Sequence, residues 1–110
     1  MTNYYPNRND VVWLDYDPQL GHEQAGKRPA IVISPMKYNK RVGLALFYPI
    51  TSQVKGYPFE VQINLSKIKG VILTDQIKNL DWKARNVQYI ETAPEEILAE
   101  AREKLNWLLD

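Results

Sequence analysis

Cysteine is absent from this 110-residue chain, which removes disulfide scaffolds, thiolate zinc sites and cysteine nucleophiles together. The fold must hold by packing alone, and the composition fits a reducing cytoplasm. Histidine is almost absent as well, His22 being the only one, so a chemistry that uses two imidazoles as base and acid is excluded by count. No run approaches the ~18 apolar residues needed to span a bilayer. The opening segment Met1 to Asn7 is polar and aromatic without an apolar signal core, so a soluble, unexported, cytoplasmic protein is expected. Net charge is scarce too: 14 lysines and arginines stand against 13 acidic residues, leaving +1. The molecule as a whole exerts little pull on a polyanion, and any nucleic-acid site must be a local patch.

What is present suffices for one core. With 45% hydrophobic residues the chain reads as a single domain over 1–110, with no repeat, linker or low-complexity tract. Val11 to Tyr16 is a β-branched and aromatic run, ended by the turn-forming Asp17-Pro18, and predicts a strand. Gln19 to Lys27 is a polar loop with Gly21 and Gly26, of a length that in a small domain more often carries function than not. Ala30 to Ser34 is continuously apolar up to its closing serine and predicts a strand buried on both faces.

After an irregular or short helical connection through Tyr38, strands are expected at Leu44 to Ile50, Phe59 to Asn64, Gly70 to Leu73 and Asn86 to Ile90, with a short helix over Asp75 to Ala84. Thr92-Ala93-Pro94-Glu95 has capping-box spacing, and Ile97, Leu98, Ala101, Leu105 and Leu108 share one face of a terminal helix. Many short strands and one covering helix predict a mainly β, α+β fold, a strongly bent antiparallel sheet or small barrel.

Chemistry-bearing side chains gather near the polar loop. His22 and Glu23 lie in it, Arg28 stands just before the buried strand, and Thr51-Ser52 follows the third strand. Cleavage of RNA through its own 2′-hydroxyl needs a base, positive charge on the nonbridging phosphate oxygens and a proton donor for the leaving oxygen. Glu23, Arg28 and His22 supply those types, and Thr51 adds a hydroxyl. Arginine keeps its charge and presents a planar fork matched to phosphate, so Arg28 is assigned to charge stabilisation.

Residue types alone are equally those of a solvated loop. Asp15 and Asp17 share a strand face, yet no further ligands accompany them, and Asp17 before Pro18 is explained as a turn starter; no metal or other cofactor is expected. Lys55, Tyr57 and Phe59 interleave a cation with rings, as in single-strand binding surfaces, or simply pack on the sheet. Trp13, Trp82 and Trp107 read as core or interface residues.

The segment Val11-Val12-Trp13-Leu14-Asp15-Tyr16-Asp17-Pro18 followed by Leu20-Gly21-His22-Glu23-Gln24-Ala25-Gly26-Lys27-Arg28-Pro29-Ala30 resembles the opening block of MazF/PemK toxins. Pro49-Ile50-Thr51-Ser52-Gln53, Lys55-Gly56-Tyr57-Pro58-Phe59-Glu60-Val61 and Asp75-Gln76-Ile77-Lys78-Asn79-Leu80-Asp81-Trp82-Lys83-Ala84-Arg85 follow in the same order. The resemblance implies an SH3-like β-barrel with added helices, a homodimer, a partner antitoxin, and sequence-selective cleavage of single-stranded RNA to a 2′,3′-cyclic phosphate and a 5′-hydroxyl.

It places the family's catalytic arginine, threonine and loop glutamate on Arg28, Thr51 and Glu23, which the chemistry also selects. It marks His22, Gln24, Lys27, Ser52, Gln53, Lys55, Tyr57, Phe59, Asp75, Gln76, Lys78 and Arg85 as RNA-binding candidates. Thr74 stands where the family often has alanine and Lys83 where it often has arginine, while Leu65 to Lys69 falls outside the matching blocks. Because fold alone does not settle function, two other readings stay open: a non-catalytic toxin of the same fold that binds and inhibits DNA gyrase, and an RNA-binding module without activity.

Overall fold

The computed structural model describes residues 3–15 and 26–110. The expectations placed on Asp17, His22, Glu23 and Gln24 therefore lie outside the described residues. The elements run β1 (Asp10–Asp15), β2 (Lys27–Val32), α1 (Met36–Val42), β3 (Ala45–Thr51), β4 (Glu60–Asn64), β5 (Lys69–Leu73), β6 (Lys78–Leu80), β7 (Gln88–Thr92) and α2 (Glu95–Leu109).

The strands pair antiparallel in the order β4-β5-β3-β2-β1-β7, with β6 attached to β3. β3 is the spine of this half-barrel. Its first residues, Ala45 to Phe47, face Leu80 to Lys78 of β6, while its last, Ile50 and Thr51, face Ile72 and Val71 of β5. Among the described residues no helix is long and apolar enough to cross a membrane.

The apolar runs are continuous because the sheet is buried on both sides. Val11, Ile31 and Tyr48 point into a core shared with Ile63, Ile72 and Leu98 of α2. Their chain neighbours Val12, Ala30, Val32 and Phe47 point the other way, onto Trp82 with Tyr4 and Tyr5 at its edge. Trp82 is thus a core residue, as expected, whereas Trp107 stands 59% exposed near the end of α2. A polar knot closes the second core. Asn39 of α1, fully buried, donates to Pro6 O at 2.8 Å and Ser34 O at 3.0 Å. It accepts from Ser34 Oγ at 2.6 Å, and its carbonyl accepts from Trp82 Nε1 at 3.1 Å.

Three local expectations are corrected. The helix expected over Asp75 to Ala84 is instead β6 followed by a turn at 82–86. The open edge of β3 recruits Lys78 to Leu80, and Asp81 Oδ1 accepts from Ala84 N at 3.0 Å to start the turn that drops Trp82 into the core. The capping box is not formed, since α2 begins after Pro94 with no side-chain cap. Thr92 belongs to β7, and its hydroxyl donates to Asp10 Oδ1 at 3.1 Å. The apolar face of α2 also ends early: Leu98 and Ala101 are buried and Ile97 and Leu105 pack beside them, but Leu108 is 50% exposed.

Candidate active site

Arg28 and Thr51 come together where β2 begins and β3 ends. β2 and β3 run antiparallel with a register that ends at Ala30 opposite Pro49, two residues short of Arg28 and Thr51. Both side chains line a groove of about 350 Å³, together with Gln53, Lys55, Tyr57 and Gln76. Arg28 is exposed near the start of β2 while Ala30 to Val32 behind it are fully buried, so a strand anchored in the core carries it. Thr51 Oγ1 accepts from Gln53 N at 3.1 Å, a contact that leaves its hydroxyl proton for another acceptor.

Several other predicted residues reach the same place. Lys78 also lines the groove. Lys27 and Ser52 line a neighbouring hollow of about 440 Å³ that shares Arg28 and Thr51 with the groove. Phe59 does not line the groove; its ring meets Tyr57 edge-on at 5.8 Å and props it. Asp75 accepts from the Tyr57 hydroxyl, and its other oxygen is buried without a partner. That hydrogen bond raises the Tyr57 phenol above its ordinary value and, with the Phe59 contact, orients the ring. Arg85 is placed elsewhere: its guanidinium donates to Asp15 O at 2.9 Å and ties the 82–86 turn to the end of β1.

The sequence reading missed Glu60, Gly70, Lys67 and Lys69. Glu60 Oε2 accepts from Lys55 N at 3.0 Å and Oε1 from Gly56 N at 3.1 Å, so its carboxylate fastens the bend that carries Lys55 and Tyr57. The strand alternation that exposes Glu60 was visible, but not the bend folding back onto it. Gly70 touches the backbone of Thr51, where a Cβ would lie 2.3 Å from Thr51 O. Lys67 and Lys69 line the hollow beside Arg28, and no local signal announces that placement.

Thr74, one of the departures from the family pattern, is fully buried and donates to Phe59 O at 2.7 Å, tying β5 to the same bend. Among the described residues no three His, Cys, Asp or Glu side chains are grouped to hold a metal ion.

The arrangement is a groove carrying Arg28, Lys55 and Lys78 with the Thr51 hydroxyl on its lining, whose carboxylate Glu60 is engaged by backbone N–H groups. Such a surface neutralises phosphate. The profile of the PemK-like, MazF-like toxins of type II toxin–antitoxin systems matches residues 7–109. The chain is similar to the endoribonuclease toxin MazF of Escherichia coli (strain K12), 43% identical over 109 residues, covering 99% of this chain and 98% of that one.

Its fold is similar to the crystal structure of MazF from Deinococcus radiodurans, with a TM-score of 0.88 and 46% identity over 97% of this chain and 98% of that chain. It is also similar to a MazE-MazF structure from Deinococcus radiodurans, with a TM-score of 0.86 and 41% identity over 97% of both chains. The chain belongs to the PemK-like, MazF-like toxins of type II toxin–antitoxin systems.

Proposed function

We propose that this endoribonuclease cuts single-stranded RNA by internal attack. The ribose 2′-oxygen bonds to the adjacent phosphorus, its proton passes to a base, and the 5′-oxygen leaves with a proton from an acid. The products are a 2′,3′-cyclic phosphate and a 5′-hydroxyl. Arg28 holds the nonbridging oxygens as negative charge grows on them, and the Thr51 hydroxyl donates to the same phosphate. Glu23 takes the role of base and His22 is the candidate donor, both from the sequence between β1 and β2. The nucleophile is supplied by the substrate, so the step requires neither a metal-bound water nor an activated serine.

The single observation carrying this reading is that Arg28 and Thr51 line both the groove and the hollow, at their junction. Lys55, Gln53, Tyr57 and Gln76 along the groove supply the phosphate, stacking and hydrogen-bond partners from which sequence selectivity is built. A cognate antitoxin holds such activity in check, a reading supported by the existence of a MazE-MazF structure from Deinococcus radiodurans, and the working unit is a homodimer.

The test is cleavage of a long RNA in EDTA, followed by repetition on an oligonucleotide carrying 2′-deoxyribose at the mapped scissile position. Cutting that survives EDTA and stops with the deoxy sugar is expected. A cleaved deoxy linkage would exclude internal attack, and a requirement for added metal would overturn the metal-independent form of the step.

A further inference from the structure

Arg28 and Thr51 are shared by two concavities, the groove on the Lys55 and Tyr57 side and the hollow on the other. A strand whose reacting phosphate sits at their junction must send its two flanks in different directions. The groove takes one. The hollow is lined by Lys27, Lys67, Lys69 and Trp13, and among the described residues none of its lining side chains is acidic. In a chain whose formal charge is only +1, this gathers three lysines and Arg28 at one place.

The turn that carries Lys67 is fastened. Ile68 is buried in the first core, and Glu91 Oε2 of β7 accepts from Lys67 N and Ile68 N, both at 2.9 Å. The negative charge of Glu91 is therefore engaged by the turn's own backbone. Lys69 Nζ donates to Leu65 O at 2.9 Å and Lys27 Nζ to Gln88 Oε1 at 2.7 Å, neutral acceptors that hold the ammonium groups in place without cancelling them. Trp13 adds an aromatic surface of the kind on which a base stacks.

We propose that this hollow is a second RNA subsite, in which Lys67 and Lys69 hold the backbone of the nucleotides on the opposite side of the reacting linkage from the groove, beside Trp13. It rests on the internal-attack reading for the position of the strand, but its evidence is binding rather than cutting.

The experiment measures the affinity of the full chain for a single-stranded RNA oligonucleotide centred on a mapped cut, with 2′-deoxyribose at the scissile sugar, across a salt series. Each phosphate contact to a single strand contributes about 0.7 to the slope of log affinity against log salt. The double variant Lys67→Ala, Lys69→Ala is expected to lower that slope by about 1.4 and to weaken binding roughly tenfold at 0.15 M salt. Lys67→Arg keeps the charge and the slope. The pair Lys37→Ala, Arg41→Ala on α1 removes the same net charge at the far end of β2 and leaves the slope as it was.

Shortening the oligonucleotide on the hollow's side abolishes the difference between wild type and double variant, and shortening it on the other side preserves it. An unchanged slope in the double variant, or a difference surviving equally in both shortened oligonucleotides, overturns the subsite and leaves the cleavage reading intact. Failure of the wild type to bind RNA overturns both.

Discussion

Gly70 of β5 lies against the backbone of Thr51, so closely that a Cβ there would stand 2.3 Å from Thr51 O and 3.2 Å from Ser52 Cα. The neighbouring pair Thr51 and Val71 is in register between β3 and β5, so the close approach fixes where the hydroxyl of Thr51 sits. Gly70→Ala is expected to push β3 and β5 apart at this point and lower kcat by roughly 10–100-fold, the scale of an ångström-sized misplacement. Single-turnover cleavage, with circular dichroism to verify the fold, checks this; full kcat in a folded alanine variant would show that the contact does not position Thr51.

The strands that bury both faces were legible in sequence. Ala30, Ile31 and Val32 form a run with no polar face, and each is fully buried. Arg28 and Thr51 were legible because they border such runs. Lys67 and Lys69 were not, since only the long-range pairing of β5 with β3 carries their turn to the site. β6 was hidden for a related reason: three residues are too few for a period, and what makes them a strand is the free edge of β3. Thr92 shows the opposite failure, where a correct local signal for a helix cap was overridden by a partner, Asp10, far away in sequence.

Glu60 holds the bend bearing Lys55 and Tyr57 by accepting from two successive backbone N–H groups. Glu60→Ala removes both acceptors and frees the bend. At about 1 kcal/mol for each such bond, KM for RNA is expected to rise about fivefold to thirtyfold with a smaller change in kcat, and Glu60→Gln, which keeps one acceptor, falls between. Steady-state kinetics on a defined oligonucleotide decides; a collapse of kcat at unchanged KM would place Glu60 in the chemical step instead.

Asn39 joins the N-terminal segment, the end of β2 and the 82–86 turn through buried hydrogen bonds. Asn39→Ala leaves Pro6 O and Ser34 Oγ without their partner in the interior. A loss of roughly 2–4 kcal/mol in unfolding free energy is expected, measured by urea denaturation. Asn39→Asp is expected to destabilise as well, because a carboxylate cannot donate to the two carbonyls. Wild-type stability in either variant would mean that the knot contributes no net stability.

Arg28, beside Thr51 in the groove, is proposed to grip the reacting phosphate. The most direct test of that grip is the single-turnover cleavage rate of Arg28→Ala, with binding of the deoxy oligonucleotide measured alongside. The rate is predicted to fall by roughly 10²–10³-fold or more, with Thr51→Ala also slowed and both variants still folded and still binding RNA. A folded Arg28→Ala that cuts at the wild-type rate would contradict the account.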